Sequence, residues 1–157
     1  MTGVKAGSTT VVVKSKEDAS VYAKVKVKVK NRFSNKSLRL MSAIICSEAE
    51  NQGYAGQKAV GIIIMNRIQS DLFPNSLSGV IYQRGQFTPA RNGSLNRSLA
   101  RYDSGSITDS CIEAATDALN GDTTVSLSTG TVNMKSYLFF SRYIPSCKLQ
   151  IGAHQFR

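Results

Sequence analysis

The spacing of apolar residues changes near residue 37 of this 157-residue chain. Between Val21 and Val29, valines alternate with Tyr22 and with lysines, a spacing of two that is typical of a β-strand. From Leu38 onward, apolar residues recur every three or four positions, which is the spacing of an amphipathic α-helix. The sequence therefore predicts a strand-forming arm or linker over 1–37 and a mainly helical domain over 38–157.

Most of the positive charge belongs to the arm. The whole chain has a formal net charge of +10, and residues 1–37 hold nine basic and two acidic residues. Such a segment favours a polyanionic partner: a nucleic acid, an anionic membrane or an anionic cell wall. The lysines from Lys24 to Lys30 have no aromatic residues between them for base stacking. We therefore expect a linker or a remnant of a wall-binding module, with anionic wall polymers as its partner and no nucleic acid.

Length and composition exclude several classes of protein. Hydrophobic residues make up 41% of the chain, which is enough for one packed core, and the length suits a single domain with an appendage. The longest apolar run, Ile62–Met65, is far shorter than the ~18 residues of a membrane span. No phosphate-binding glycine motif occurs, so we expect no cofactor. We also expect no membrane span and a monomer. Residues 1–3 open no apolar export signal, which is therefore removed or was never present.

The cysteines and the single histidine do not form a metal-binding pattern. Cys46, Cys111 and Cys147 are widely and unequally spaced, and His154 is the only histidine. This excludes a disulfide framework and a zinc ribbon, so we expect no metal. A nucleophilic pair of one cysteine with His154 stays open as an alternative. The helical positions of Cys46 and Cys111 favour packed core thiols instead.

The predicted fold class is α+β, mainly helical, with a small antiparallel β element at the end of the chain. Gly61 is expected to allow a close contact between helices, and Ser110 with Glu113 forms a possible capping box. The polar stretch 83–106 is predicted to be a binding loop, with a turn of helix near Leu95–Ala100. The remaining predicted elements are helices over 38–50, 56–68 and 109–120, a short helical turn at 78–82, and paired strands at 137–140 and 149–156.

Glu48 is the strongest candidate for a catalytic group. On the first helix it shares a face with Met41, Ile44 and Ile45, so it ends an apolar stripe. A carboxyl group there loses hydration and its pKa rises, which is the condition for a general acid near neutral pH. The alternative is a glutamate that faces solvent or pairs with an arginine such as Arg67.

An ordered set of short motifs covers about 38–156 and resembles one family. It comprises Ile45–Glu50, Gly56–Gly61, Met65–Arg67, Phe73–Asn75, Val80–Thr88, Ala115–Gly121, Tyr137–Phe140 and Ile151–Phe156. Together these closely resemble the cell-wall hydrolase family of the spore cortex-lytic enzymes. Ala153 departs from the asparagine common there, the stretch 141–148 is divergent, and 1–37 matches nothing recognisable.

The resemblance implies a lysozyme-like domain, secreted and acting outside the cytoplasm on cell wall or spore cortex during germination. It implies cleavage of peptidoglycan strands between N-acetylmuramic acid and N-acetylglucosamine, with Glu48 as the catalytic acid. Lytic transglycosylases need a single acid, because the muramoyl C6 hydroxyl closes to a 1,6-anhydro product and the substrate's own N-acetyl group can stabilise the positive charge.

Other site residues follow from the long loop and the C-terminal strands. Phe87 and Tyr137 are candidates for stacking on sugar rings, and Asn66, Gln86 and His154 for hydrogen bonds to substrate. Asp71 and Asp103 are the candidates for a second carboxylate. The rival hypotheses are a hydrolytic muramidase with the same acid and a non-catalytic wall-binding protein. Cortex and vegetative wall both stay open as the substrate.

Overall fold

The structure, a computed structural model, describes residues 7–29 and 33–157. Contacts divide the chain into two units, Met1–Arg32 and Phe33–Arg157, and each is described by itself. Three basic residues of the predicted arm lie outside the described residues: Lys5, Lys30 and Arg32. The prediction about an export signal at residues 1–3 also lies outside the described residues.

The first unit contains an antiparallel hairpin. Strand β1 spans Gly7–Lys14 and strand β2 spans Tyr22–Val29, with Val11 opposite Val25. The alternation predicted for 21–29 is confirmed, because it places lysines on one face and valines on the other. The sheet has two strands, so within the described part of this unit no second layer covers the valines. Val25 is accordingly 53% exposed instead of half-buried.

The second unit is mainly helical, with small antiparallel sheets, as the sequence predicts. Its first helix starts three residues earlier than predicted, because the Ser34 hydroxyl caps it by accepting a hydrogen bond from the Ser37 amide. The helices are α1 (Asn35–Ala49), α2 (Tyr54–Ile68), α3 (Leu77–Tyr82), α4 (Ser94–Asp103) and α5 (Asp109–Leu119), with a 3₁₀ turn at Thr88–Ala90 between α3 and α4.

Helix α2 runs through the centre of this unit and is buried on nearly every side. A Cβ atom added at Gly61 would lie 2.8 Å from the Ala118 Cβ of α5 and 3.1 Å from the Ile45 Cδ1 of α1. The predicted close helix contact at Gly61 is therefore confirmed. It holds α1 and α5 tightly against the central helix.

One local prediction fell short and another was wrong. Within 83–106 the helical turn predicted near Leu95–Ala100 is confirmed but is longer than expected: Asn92 accepts a hydrogen bond from the Ser94 amide, and Gly93 in the left-handed region (φ 82°) starts the ten-residue helix α4. Asp103 thus ends a helix. Ser110 does not form a capping box, because α5 begins at Asp109, after Thr108, and Ser110 lies within its first turn.

The sheets of the second unit are short. Strands β3 (Thr124–Leu127) and β4 (Gly130–Asn133) form a hairpin that the sequence analysis missed. Strands β5 (Phe140–Ser141), β6 (Leu149–Ile151) and β7 (His154–Phe156) form a sheet in the order β5–β7–β6. The predicted pairing of 137–140 with 149–156 is thus correct in part, since 149–156 is itself a hairpin. No helix in the described ranges is long and apolar enough to cross a membrane.

Candidate active site

Glu48 lies in the last turn of α1, where the buried stripe of that helix ends. Met41, Ile44 and Ile45 are completely buried, whereas Glu48 is half-buried. The helical spacing therefore works as predicted: it brings the carboxyl group to the edge of the core. Ser47 beside it is held by hydrogen bonds from its hydroxyl to the Ala43 carbonyl (2.8 Å) and the Ser98 hydroxyl (2.9 Å).

The Glu48 side chain lines a pocket of about 470 Å³, a size that suits a small-molecule or sugar ligand. Helix α1, the segment between α3 and α4, and strands β5 and β7 all contribute to its wall. The lining residues are mostly polar: Ser47, Glu48, Gln86, Thr88, Pro89, Asn92, Ser94, Phe140, Ser141, Arg142 and His154.

The carboxyl group of Glu48 has no hydrogen-bond or ion-pair partner among residues 7–29 and 33–157. Burial raises its pKa to about 7, and the nearby cation of Arg67 opposes part of that rise. Glu50, two residues along, shows the opposite behaviour. The Arg101 guanidinium binds both of its oxygens at 2.8 and 2.6 Å and Thr108 donates a further hydrogen bond, which lowers the Glu50 pKa to about 2.

Arg67 of α2 is buried and is not among the described residues of the pocket wall. Its Nε donates to the Leu138 carbonyl at 2.8 Å, and its guanidinium lies 4.9 Å from the ring centre of Phe73 and 5.4 Å from that of Phe87. Burial lowers its pKa to about 10, while Glu48 favours its charged form. No Glu48–Arg67 ion pair is found within the described chain, so that alternative for Glu48 does not occur.

Gln86 and His154, two of the predicted substrate-binding residues, line the pocket together with Glu48. His154 is 8% exposed and its Nδ1 has no partner in the described part of the chain. Burial, aided by the positive charge of Arg142, lowers the His154 pKa. The imidazole is therefore neutral at neutral pH and offers one donor and one acceptor.

The other three predicted residues do not line the pocket. Asn66 donates from Nδ2 to the Met134 carbonyl at 2.7 Å and to the Tyr137 carbonyl at 2.8 Å. Phe87 is 2% exposed and packs within the core, and Tyr137 is half-buried against a second apolar cluster. In the structure, the Asn66 amide thus binds backbone carbonyls and Phe87 packs in the core. Substrate binding by Asn66, Phe87 and Tyr137 stays a prediction.

The predicted second carboxylates also lie elsewhere. Asp103 makes a two-point ion pair with Arg39, with both distances 2.6 Å, and Asp71 lies in the exposed turn after α2. Among the described residues of the pocket wall, Glu48 is the one acid. The pocket therefore combines the half-buried, unpaired carboxyl group of Glu48 with polar side chains and the partly buried ring of Phe140.

A family model described as "Cell Wall Hydrolase" matches residues 51–157. The chain belongs to the cell wall hydrolase family. This membership confirms the resemblance identified from the sequence.

Individual relatives of the chain agree with this family assignment. The chain is 36% identical over 89 residues to a spore cortex-lytic enzyme of Bacillus subtilis and 35% identical over 95 residues to one of Oceanobacillus iheyensis. The aligned parts are 57% and 60% of this chain but 27% and 32% of those proteins, so the chain spans about a third of its curated relatives or less.

Two solved structures share the fold of this chain. The catalytic domain of the germination-specific lytic transglycosylase SleB from Bacillus anthracis matches with a TM-score of 0.60 and 25% identity, covering 82% of this chain and 98% of that domain. The catalytic domain of the Bacillus cereus SleB protein matches with a TM-score of 0.55 and 26% identity, covering 82% of this chain and 94% of that one.

Sequence reasoning named Glu48, Gln86 and His154 among the eleven described lining residues, and Phe140 and Arg142 are two that it missed. The Phe140 ring lies 6.0 Å from that of Phe87 and 5.3 Å from His154, so it stands between the core and the pocket. Its pairing with Phe156 in the β5–β7 register could not be read from spacing. Arg142 lies in the stretch that diverges from the family, where no motif marks it.

The three cysteines of the chain are free thiols. Cys46 and Cys111 are buried in the core on α1 and α5, and Cys147 is exposed. None is among the described residues of the pocket wall, so a pairing of cysteine with His154 has no contact in this site to support it.

Proposed function

We propose that the chain cleaves peptidoglycan strands as a lytic transglycosylase, with Glu48 as general acid and base. The observation that carries the proposal is the state of this carboxyl group: unpaired, half-buried, and with a pKa of about 7 in a polar pocket. A group with that pKa can both donate and accept a proton near neutral pH.

In the first step, the protonated Glu48 donates its proton to the oxygen between N-acetylmuramic acid and N-acetylglucosamine. The bond from the muramoyl C1 to that oxygen breaks, and the N-acetylglucosamine part leaves with a new hydroxyl group. The positive charge that develops at C1 is stabilised by the N-acetyl group of the same sugar.

In the second step, the Glu48 carboxylate takes the proton of the muramoyl C6 hydroxyl, and the C6 oxygen bonds to C1. The product is a 1,6-anhydro end, and Glu48 regains its proton. A hydrolytic route requires water instead, which in an inverting enzyme is activated by a second carboxylate ~6.5–9.5 Å away. Glu48 as the one acid in the described pocket wall favours the transglycosylase route.

The pocket wall offers suitable contacts for a glycan. Phe140 presents an aromatic surface for a sugar face, while Gln86 and neutral His154 offer hydrogen bonds to hydroxyl and N-acetyl groups. Substrate binding by Gln86 and His154 and a catalytic domain over 38–157 are parts of this proposal. So is action outside the cytoplasm, on cell wall or cortex.

The test compares Glu48→Gln with Glu50→Gln on purified peptidoglycan, with released fragments identified by mass spectrometry. We expect Glu48→Gln to lower the cleavage rate by at least ~10³-fold, since removing the acid removes both proton transfers. Glu50→Gln, which alters a neighbouring ion-paired carboxylate, should keep most activity. Fragments with 1,6-anhydro ends support the proposal, reducing ends indicate the muramidase, and undiminished cleavage by Glu48→Gln excludes this acid.

For the hairpin we propose binding to a linear anionic wall polymer. Lys24, Lys26 and Lys28 point to one face of β2 at intervals of about 6.7 Å, and all three are exposed. Across the register, Thr10 lies opposite Lys26 and Ser8 opposite Lys28. This face combines a row of positive charges with hydroxyl donors, which suits a chain of phosphate or carboxylate groups.

A further inference from the structure

Arg142 is a cation in the pocket wall that the proposed mechanism does not use. It lies just after β5, is exposed, and lines the same pocket as Glu48, Phe140 and His154. Arg39, Lys58 and Arg101 are each held in an ion pair with a carboxylate. By contrast, Arg142 makes no ion pair within the part of the chain that the structure describes.

Arg142 directly follows Ser141, which pairs with Gln155 next to His154, so the strand register places Arg142 on the His154 side of the pocket. The Arg142 cation disfavours protonation of His154, whereas the cation that acts on Glu48 is Arg67 of α2. The proton donor and the exposed guanidinium therefore belong to different parts of the wall. A ligand that fills the pocket can contact both at the same time.

The charges of the wall indicate what such a ligand carries. Glu48 is uncharged when ready to donate, His154 is neutral, and the other lining side chains are polar or apolar, so Arg142 supplies the charge of the loaded site. A guanidinium presents its N–H groups as a planar fork that matches a carboxylate in two-point geometry. A neutral sugar ring leaves this charge unused.

We infer that Arg142 binds a carboxylate of the glycan strand and thereby sets which glycosidic bond lies over Glu48. The inference rests on the proposed function. N-acetylglucosamine carries no carboxyl group, whereas N-acetylmuramic acid carries a lactyl group that ends either in its own carboxylate or in a peptide with carboxylates. Because the two sugars alternate, a charged anchor on one of them distinguishes two linkages that otherwise look alike.

The experiment uses three forms of one strand preparation. In the first, the peptides are removed and the lactyl carboxylates are free; in the second, those carboxylates are converted to neutral amides; in the third, the peptides are retained. Each is cleaved by the unmodified chain, by Arg142→Gln, by Arg142→Lys and by Arg91→Gln. Arg91 is the matched control. It is an exposed arginine between the lining residues Pro89 and Asn92, but it is not itself among the described lining residues.

We expect Arg142→Gln to lower kcat/KM on carboxylate strands by about tenfold or more, mainly through KM, because a charge-assisted contact is made in both ground and transition states. Amidation should weaken cleavage by the unmodified chain to a similar extent and have little further effect on Arg142→Gln. The kcat/KM of Arg142→Lys should lie between those of the unmodified chain and Arg142→Gln, and that of Arg91→Gln should match the unmodified chain. A loss confined to peptide-bearing strands assigns the carboxylate to the peptide, and a loss on stripped strands assigns it to the lactyl group.

The inference is overturned if Arg142→Gln behaves as Arg91→Gln does on stripped and peptide-bearing strands alike. It is also overturned if Arg142→Gln loses activity on stripped strands while amidation still lowers cleavage by both proteins equally. A binding measurement separates this failure from failure of the proposed function. Titration of N-acetylmuramic acid and of its amide into Glu48→Gln, with and without Arg142→Gln, reports the anchor without any cleavage. Preference for the free acid that Arg142→Gln abolishes supports the inference even for a chain that cleaves nothing. Equal binding of both sugars excludes the lactyl carboxylate, and the inference is overturned if a muramoyl peptide and its amidated form also bind equally.

Discussion

Glu48 of α1 and Arg67 of α2 carry opposite charges and influence each other's pKa without forming an ion pair. Arg67 is held instead by the Leu138 carbonyl and by aromatic rings. Its positive charge therefore moderates the Glu48 pKa but leaves the carboxyl group free for a substrate. Burial outweighs the cation, and the outcome is a pKa of about 7.

Replacing Arg67 should make Glu48 a weaker acid. Arg67→Met removes the cation that opposes the rise, so the Glu48 pKa should increase above 7 and the alkaline limb of the pH–rate profile should move upward with it. Arg67→Lys keeps a positive charge and should move the limb less. An unchanged limb in a folded Arg67→Met variant would show that this cation does not act on Glu48.

Glu48→Gln should stabilise the fold at alkaline pH. The folded-state pKa of Glu48 is about 7, above the ~4.3 expected in the unfolded chain, so the folded state binds the proton more tightly. The protonated Glu48 carboxyl group contributes its full stability below pH ~4, and this contribution is lost as the pH rises toward and through 7. At pH 8 the variant should be ~1–3 kcal/mol more stable than the unmodified chain.

Urea unfolding at pH 4 and pH 8 measures this effect. The two proteins should be nearly equal at pH 4 and should diverge as the pH rises. A variant that is less stable at pH 8 than the unmodified chain would mean that the ionised carboxylate is well solvated in the folded state.

Gly61→Ala should destabilise the helical unit. The added Cβ would lie 2.8 Å from the Ala118 Cβ, and overpacking of this kind costs about 1–3 kcal/mol. Part of that cost is offset by the better helix propensity of alanine, about 1 kcal/mol. Adding Ala118→Gly removes the opposing methyl group, so the double variant should lose less stability than the two single changes predict together. If the stability losses of the two single variants, measured by thermal unfolding, simply add up in the double variant, the contact between residues 61 and 118 would be contradicted.

The hairpin prediction concerns binding to whole walls. Changing Lys24, Lys26 and Lys28 together to Gln should reduce retention on walls that carry anionic polymers and leave cleavage of soluble glycan fragments unchanged. Changing Lys36, Lys135 and Lys148 to Gln alters the net charge equally and serves as the control. Retention should also weaken as salt shortens the Debye length from about 10 Å at 0.1 M to about 3 Å at 1 M. Equal losses in the two triple variants would indicate an effect of net charge alone.

The sequence predicted the helices and the place of Glu48 because both depend on local periodicity. Met41, Ile44 and Ile45 mark the buried side of α1 whatever packs against it. The β3–β4 hairpin carried a signal that was overlooked: the β-branched stretch 123–132 contains a turn at Ser128–Gly130. Helix α4 was underestimated because its ten residues are mostly polar, with Leu95 and Ser98 as its buried residues.

The pocket wall was harder to predict because it is assembled by tertiary contacts. Phe87 and Phe140 are both aromatic residues beside polar ones, and only the packing of β5 on β7 decides that Phe140 faces the pocket while Phe87 is buried. The same applies to Asn66, whose amide is used by two backbone carbonyls about seventy residues away in sequence. Spacing along the chain carries no information on such contacts.

The most direct test of the account is the pKa of Glu48 itself, measured by NMR titration of its labelled carboxyl carbon in the free protein. Glu50 provides an internal reference in the same spectra, with a pKa of about 2. The account predicts that Glu48 titrates near 7. A Glu48 pKa at or below the ordinary ~4.3 of a solvated glutamate would contradict it.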